Sequence, residues 1–155
     1  MFTILKNVKY LLFFLLFTSW ESQANHHEKL ALHGGYTFET GPEQKATAVY
    51  LSFFNNGEKE IVIEFFSTTV ANSVEMHDIK ITDDIVKMYK VENVEIDAKS
   101  ELFLQPGGRH LMLFGLKKKL NDKDSFILKV HLKNKAVLET NILVLDKKLR
   151  ANFLN

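Results

Sequence analysis

Residues 76–112 read MHDIKITDDIVKMYKVENVEIDAKSELFLQPGGRHLM. Apart from the initiator, every methionine of the 155-residue chain lies in this stretch, together with two of the six histidines. The same stretch contains runs with the features of β-strands. Its local structure therefore bears both on the fold and on whether the imidazole and thioether groups can meet.

A β-hairpin is predicted in the first half of this stretch. Two apolar-rich runs, residues 73–81 and 85–91, flank Asp83 and Asp84. Aspartate accepts the backbone conformation of a tight turn, so the two aspartates are expected to form the loop. This loop places Ile79 opposite Met88. His77 then projects from the same face as Met88, as a diagonal neighbour.

A second strand is predicted at the end of the stretch. Residues 105–108, Gln-Pro-Gly-Gly, have the composition of a tight turn. In the strand that follows, residues alternate between the two faces, so His110 and Met112 share one face. Leu111 and Leu113 lie on the other. The strand thus presents one imidazole and one thioether side by side.

The donor types indicate which metal ion such a site would bind. Imidazole nitrogen and thioether sulfur are neutral ligands that suit a soft ion such as Cu(I), whereas Mg²⁺, Ca²⁺ and Mn²⁺ favour oxygen. The chain contains no cysteine. Thiolate zinc sites and blue-copper electron-transfer sites are therefore excluded.

The spacing of these residues also resembles that of a known family. His77 is followed by ten residues and Met88, then by twenty-one residues and His110, and then by one residue and Met112. The same residue types at the same spacings form the motif of the periplasmic copper(I) chaperones called PCuAC proteins. The resemblance covers roughly residues 45–145.

This resemblance implies a fold, a ligand set and a role. The fold would be an all-β, cupredoxin-like antiparallel β-sandwich or barrel, and the ligands of one Cu(I) would be His77, Met88, His110 and Met112. Members of the family hand Cu(I) to the copper centres of cytochrome c oxidase, sometimes alongside a thiol-bearing copper protein. A site without cysteine suits an oxidising compartment, where thiols tend to form disulfides.

The rest of the chain has the pattern of short strands separated by turns, which is typical of an antiparallel sandwich or barrel. Residues 46–54 alternate, and Asn55-Asn56-Gly57 is a strong hairpin signal with residues 60–67 as the return strand. Gly34-Gly35 indicates a turn or bulge in a first strand. Further strands are expected at residues 93–96, 100–104, 125–132 and 136–145.

The N-terminus has the features of a secretory signal peptide. Lys6 and Lys9 precede an apolar run over residues 10–19, and small residues occupy the −3 and −1 positions for cleavage after Ala24. The alternative is an uncleaved anchor, although the run is shorter than the ~20 residues that span a bilayer. No cysteine follows the run for lipid attachment.

Cleavage divides the chain into four parts. They are the signal peptide (1–24), an N-terminal segment with the first strand (25–45), the cupredoxin-like copper-binding domain (46–145) and a C-terminal tail (146–155). The processed protein is expected in the periplasm, without stable insertion into the membrane.

A second metal site is predicted at the processed N-terminus. Asn25, His26 and His27 would supply a free amino group, two backbone amides and an imidazole in third position, which suit the square-planar geometry of Cu(II). The alternative is a solvated tail whose histidines bind nothing.

Charge and motif content exclude several other functions. Processing removes two of 20 basic and one of 19 acidic residues, which leaves a formally neutral chain with no basic field for nucleic acid. The chain lacks a phosphate-binding glycine-rich loop, a His-Glu-x-x-His motif and a cysteine nucleophile, so it is not expected to be an enzyme.

Two other functions remain open. One is a periplasmic copper buffer that provides tolerance. The other is a metal-free secreted β-sandwich binding module, in which the histidines are ordinary surface residues and the methionines fill the core.

Overall fold

A computed structural model describes residues 29–82 and 85–153, so the predicted signal peptide lies outside the described residues. None of the helices within those ranges is long and apolar enough to cross a membrane. The strands are β1 (Leu30–Phe38), β2 (Ala46–Asn55), β3 (Ile61–Thr68), β4 (Ser73–Thr82), β5 (Ile85–Val91), β6 (Val94–Ile96), β7 (Glu101–Phe103), β8 (His110–Phe114), β9 (Ser125–Leu132) and β10 (Val137–Leu145), followed by a 3₁₀ helix (Lys147–Phe153).

The strands form a sandwich that closes like a barrel. Their order is β5-β4-β8-β2-β1-β10-β9-β3-β6, with β7 beside β2. β4 also pairs with β3 through Val74 and Phe66, so the path of neighbouring strands closes on itself. The predicted all-β, cupredoxin-like fold class is confirmed. β1 pairs with β10 in the parallel rather than the antiparallel direction.

A single apolar core fills the interior, and it is built from alternate residues of the strands. β8 contributes Leu111 and Leu113, neither of which has any exposed surface, and β4 contributes Met76. Since neighbouring residues of a strand point to opposite faces, burial of these three side chains turns the residues between them outward. The core thereby fixes which face of β4 and β8 is available for a site.

The predicted irregularity in β1 is present as a β-bulge. The register of β1 against β2 shifts between His33 and Tyr36. Gly35 has φ +129°, and a Cβ there would lie 2.9 Å from the carbonyl oxygen of Asn141. Only glycine fits this close approach of two backbones.

The predicted hairpin at Asn55-Asn56-Gly57 is wrong. β2 pairs with β1, β7 and β8, whereas β3 pairs with β4, β6 and β9. The reason is the buried amide of Asn55, which donates hydrogen bonds to the carbonyls of Lys59, Ile96 and Asp97, each at 2.9 Å. Because of these hydrogen bonds the chain leaves β2 without forming a two-residue turn.

Replacing Leu111 by alanine tests the role of the core in holding β8. The substitution empties a fully buried site, and we expect the free energy of unfolding to fall by about 3 kcal/mol. Leu143→Ala is the control, because Leu143 is half exposed on β10 and should cost less than about 1 kcal/mol. Urea unfolding measures both losses. Equal losses would contradict the assignment of Leu111 to the core.

Candidate metal centre

β4 and β8 are neighbouring antiparallel strands, and their register places His77 directly opposite His110. Both histidines project away from the core, because Met76 and Leu111 beside them are buried in it. The centroids of the two imidazole rings are 6.0 Å apart. Two imidazoles that bind one ion through nitrogen, with bonds of about 2 Å, have centroids separated by roughly 6 Å. The spacing fits a shared ion.

The two methionines lie on the same face, diagonal to the histidine pair. Met112 is opposite Glu75, and this pair lies two residues along β4 and β8 from the pair of histidines. Met88 of β5 is opposite Ile79, which is the register predicted for the hairpin. All four predicted ligands therefore share one face of three adjacent strands, with a methionine on either side of the histidines.

A cleft of about 560 Å³ opens on this face, and three of the four residues line it: Met88, His110 and Met112. Ala48, which is opposite Met112 on β2, also lines the cleft, and its small side chain leaves room there. His77 does not line the cleft. Its ring packs 5.7 Å from the ring of Phe114, beside His110.

His110 is held by the turn that precedes its strand. The side chain is buried, and its Nδ1 is 2.9 Å from the carbonyl oxygen of Gly108. Gly107 has φ +78°, a conformation that glycine adopts without strain, and this conformation forms the turn. In the part of the chain that the structure describes, the hydrogen bond of the His110 ring is the one made by Nδ1, and Nε2 has no such partner. This nitrogen is the one available to an ion.

His77 is held through Nε2, whereas His110 is held through Nδ1. Its Nε2 is 3.1 Å from a carboxylate oxygen of Glu75. This hydrogen bond lowers the pKa of the Glu75 carboxyl; burial opposes the effect, and the charge of Lys90 adds to it. Nδ1 of His77 is buried and has no hydrogen-bond partner among the described residues. A buried polar atom without a partner lowers the stability of the folded protein by about 1–3 kcal/mol. An ion bound to Nδ1 would remove this loss of stability.

An ion pair ties the two histidine strands together. Nε of Arg109 is 2.6 Å from a carboxylate oxygen of Asp78. Burial acts to raise the pKa of Asp78, but hydrogen bonds from Arg109 and from the backbone N–H of Ile79 outweigh it and hold the pKa below its usual value. Because Asp78 follows His77 and Arg109 precedes His110, this pair fixes the strands beside the histidines.

The four side chains differ greatly in exposure. His110 is 6% exposed, whereas Met88 is 55% exposed on β5, an edge strand of the sheet. Beyond Met88, Ile81 and Val86 face each other across the hairpin and are also exposed. The centre therefore has a buried histidine end and an open end at the hairpin.

Two of the surrounding groups were not identified from the sequence. The Gly108 carbonyl and the Glu75 carboxylate hold the two imidazoles. Glu75 could have been recognised, since it lies two residues before His77 in a strand and so shares its face. The contact of Gly108 depends on the local path of the turn, which the sequence does not specify.

Within residues 29–82 and 85–153, no three or more histidine, aspartate or glutamate side chains converge to hold a metal ion. The predicted second site, at Asn25, His26 and His27, lies outside the described residues.

Solved structures with a similar fold include two PCuAC domains and DR1885. The copper-bound PCuAC domain from PmoF2 is 12% identical, with a TM-score of 0.65, over 76% of this chain and 93% of that one. The apo PCuAC domain from PmoF1 is 16% identical, with a TM-score of 0.63, over 76% and 94%. The Cu(I) form of DR1885 from Deinococcus radiodurans is 23% identical, with a TM-score of 0.61, over 81% and 86%. At these identities the likeness shows the fold.

No curated protein matches the sequence. A family model described as putative lipoprotein LpqE-like matches residues 30–144, which span β1 to β10 and include all four predicted ligands. Because the match extends over well more than half of the chain, this protein belongs to the LpqE-like family.

Proposed function

We propose that the chain binds one Cu(I) ion through His77, Met88, His110 and Met112. The facing histidines carry this proposal, because each ring has one nitrogen beside an acceptor and a second nitrogen with no partner among the described residues. Histidines that bind metals are held in this way by a carboxylate or a backbone carbonyl. Neutral nitrogen and sulfur donors favour a soft ion, which supports Cu(I).

Two of the similar structures support copper as the ion. One is described as the copper-bound PCuAC domain of PmoF2, and the other as the Cu(I) form of DR1885. The spacing of the four residues also resembles the PCuAC motif. The LpqE-like family is described as putative lipoproteins, which supports a location outside the cytoplasm, and together with the predicted signal peptide we propose the periplasm.

Delivery of the ion is the role that these ligands suit. Two thioethers stabilise Cu(I) strongly over Cu(II), so the site would hold one oxidation state and would carry copper rather than catalyse with it. Met88 is the most exposed of the four, and an incoming ligand of an acceptor would displace it first. We propose that the acceptor is the copper subunit of cytochrome c oxidase or a thiol-bearing copper protein.

A second site for Cu(II), at the processed N-terminus, remains a prediction. It requires cleavage after Ala24, so that the amino group of Asn25 is free and His27 stands third. Square-planar nitrogen ligands favour Cu(II), so this site would differ in oxidation state from the centre on the sheet.

Removal of one thioether tests the ligand set. Met112→Leu keeps the size of the side chain and removes the sulfur, and we expect Cu(I) affinity to fall by more than about tenfold, since loss of even an outer-shell partner costs 10–100-fold. Met76→Leu is the matched control, because Met76 is buried in the core on the opposite face of β4. Competition with a Cu(I) chelator measures both. Unchanged affinity in Met112→Leu would exclude Met112 from the ligand set, whereas no Cu(I) uptake by the wild type would favour the metal-free module.

The pH dependence of binding tests the histidines. A proton competes with the metal for each ring nitrogen, whereas thioether sulfur does not titrate. Cu(I) affinity should fall as the pH is lowered, because a ring nitrogen that carries a proton cannot bind the ion. With two imidazole ligands the fall approaches about a hundredfold per pH unit, and in His110→Ala about tenfold. A flat profile would show that imidazole is not a ligand.

Oxidase activity in the host distinguishes delivery from buffering. Deletion of the gene should lower cytochrome c oxidase activity, because its copper centres would lack their supply. Wild type and Met76→Leu should restore the activity, whereas Met112→Leu should not. If deletion leaves oxidase activity intact and increases copper sensitivity, the protein is a copper buffer.

A further inference from the structure

Glu75 lies against the candidate centre without being one of its four ligands. It precedes His77 by two residues on β4, is opposite Met112 and projects from the face that carries the site. One carboxylate oxygen is 3.1 Å from Nε2 of His77, and the other is 3.8 Å from Nζ of Lys90. Glu75 thus contacts one predicted ligand and faces another.

The contact with Glu75 determines where His77 carries its hydrogen. An ionised carboxylate only accepts hydrogen bonds, so the neutral His77 ring has the hydrogen on Nε2 and a lone pair on Nδ1. For His110 the carbonyl of Gly108 is also only an acceptor, and its partner is Nδ1. The two facing histidines are therefore held in opposite tautomers.

We propose that Glu75 is a positioning residue that keeps His77 in the Nε2–H tautomer and so presents its buried Nδ1 to copper. This inference rests on the proposed function. In the metal-free protein Nδ1 has no hydrogen-bond partner within the described residues, so nothing but the contact at Nε2 selects the tautomer. Without Glu75 the ring is free to carry its hydrogen on Nδ1, which would block the ligand position.

The negative charge of Glu75 adds a second effect. Two imidazoles and two thioethers are all neutral, so a bound Cu(I) keeps its full positive charge in a partly buried site. A carboxylate one hydrogen bond beyond a ligand offsets that charge. A purely structural role for Glu75 is weak by comparison, because its partly exposed pair with Lys90 at 3.8 Å contributes only about 0–1 kcal/mol.

Three variants separate these effects. Glu75→Ala removes both the acceptor and the charge. Glu75→Gln removes the charge and replaces the pure acceptor by an amide, which can present either an oxygen acceptor or an N–H donor to Nε2. Glu92→Ala is the matched control, because Glu92 also pairs with Lys90, at 3.7 Å, and has no hydrogen bond to His77 among the described residues. Circular dichroism and thermal unfolding establish that each variant is folded.

The first measurement uses the metal-free protein. Long-range ¹H–¹⁵N correlation spectra at about pH 8, where free histidine is neutral, distinguish the two tautomers of each ring. We expect His77 as Nε2–H and His110 as Nδ1–H in the wild type and in Glu92→Ala. In Glu75→Ala we expect His77 to become a mixture. A wild-type His77 in the Nδ1–H form, or a tautomer unaffected by Glu75→Ala, would overturn the proposal.

The second measurement is Cu(I) affinity against a chelator. Glu75→Ala should bind about 10–100-fold more weakly than wild type, Glu75→Gln should lie between them, and Glu92→Ala should equal wild type. Affinity unchanged in Glu75→Ala overturns the role of Glu75 alone. Absence of Cu(I) uptake by the wild type overturns the proposed function instead, and the tautomer spectra still decide whether Glu75 orients His77.

Discussion

The hydrogen-bonded register between β4 and β8 is the constraint on which the site depends. It places His77 opposite His110 on the outer face and Met76 opposite Leu111 in the core. A slip of one residue would turn every side chain of β4 to the other face, bringing His77 into the core and Met76 outward. Burial of the apolar set thus fixes the register, and the register positions the imidazoles. Stability and site geometry have the same physical origin.

Local signals in the sequence were enough to predict the elements that carry the site. The turn that the sequence predicts at Asp83 and Asp84 implied the pairing of Ile79 with Met88, which is present, and alternation in β8 placed His110 and Met112 on one face. Both inferences need only neighbouring residues and a period of two. The adjacency of β4 and β8 is a long-range pairing that no local pattern predicts, and the resemblance to a known motif implied only that the four residues bind one ion.

The predictions that failed concern long-range contacts. Asn55-Asn56-Gly57 has the composition of a hairpin turn. The side-chain amide of Asn55, however, donates hydrogen bonds to the carbonyls of residues 96 and 97, some forty positions away. A local turn signal cannot show that a side chain has such distant partners. The parallel pairing of β1 with β10 is beyond local reasoning for the same reason. Glu75 is different, because strand alternation placed it beside His77 and only its chemical role was overlooked.

The fold by itself does not establish copper binding, because one sandwich architecture serves many functions. A metal-free module could use the same face for docking, with the exposed Ile81 and Val86 of the hairpin as contacts. In such a module a buried imidazole nitrogen without a hydrogen-bond partner would only reduce the free energy of unfolding, by about 1–3 kcal/mol. A metal carrier needs an imidazole nitrogen with a free lone pair, since a ring nitrogen that carries a hydrogen cannot bind an ion. The free Nδ1 of His77, beside a histidine held with its other nitrogen free, therefore favours a metal ion over a docking partner.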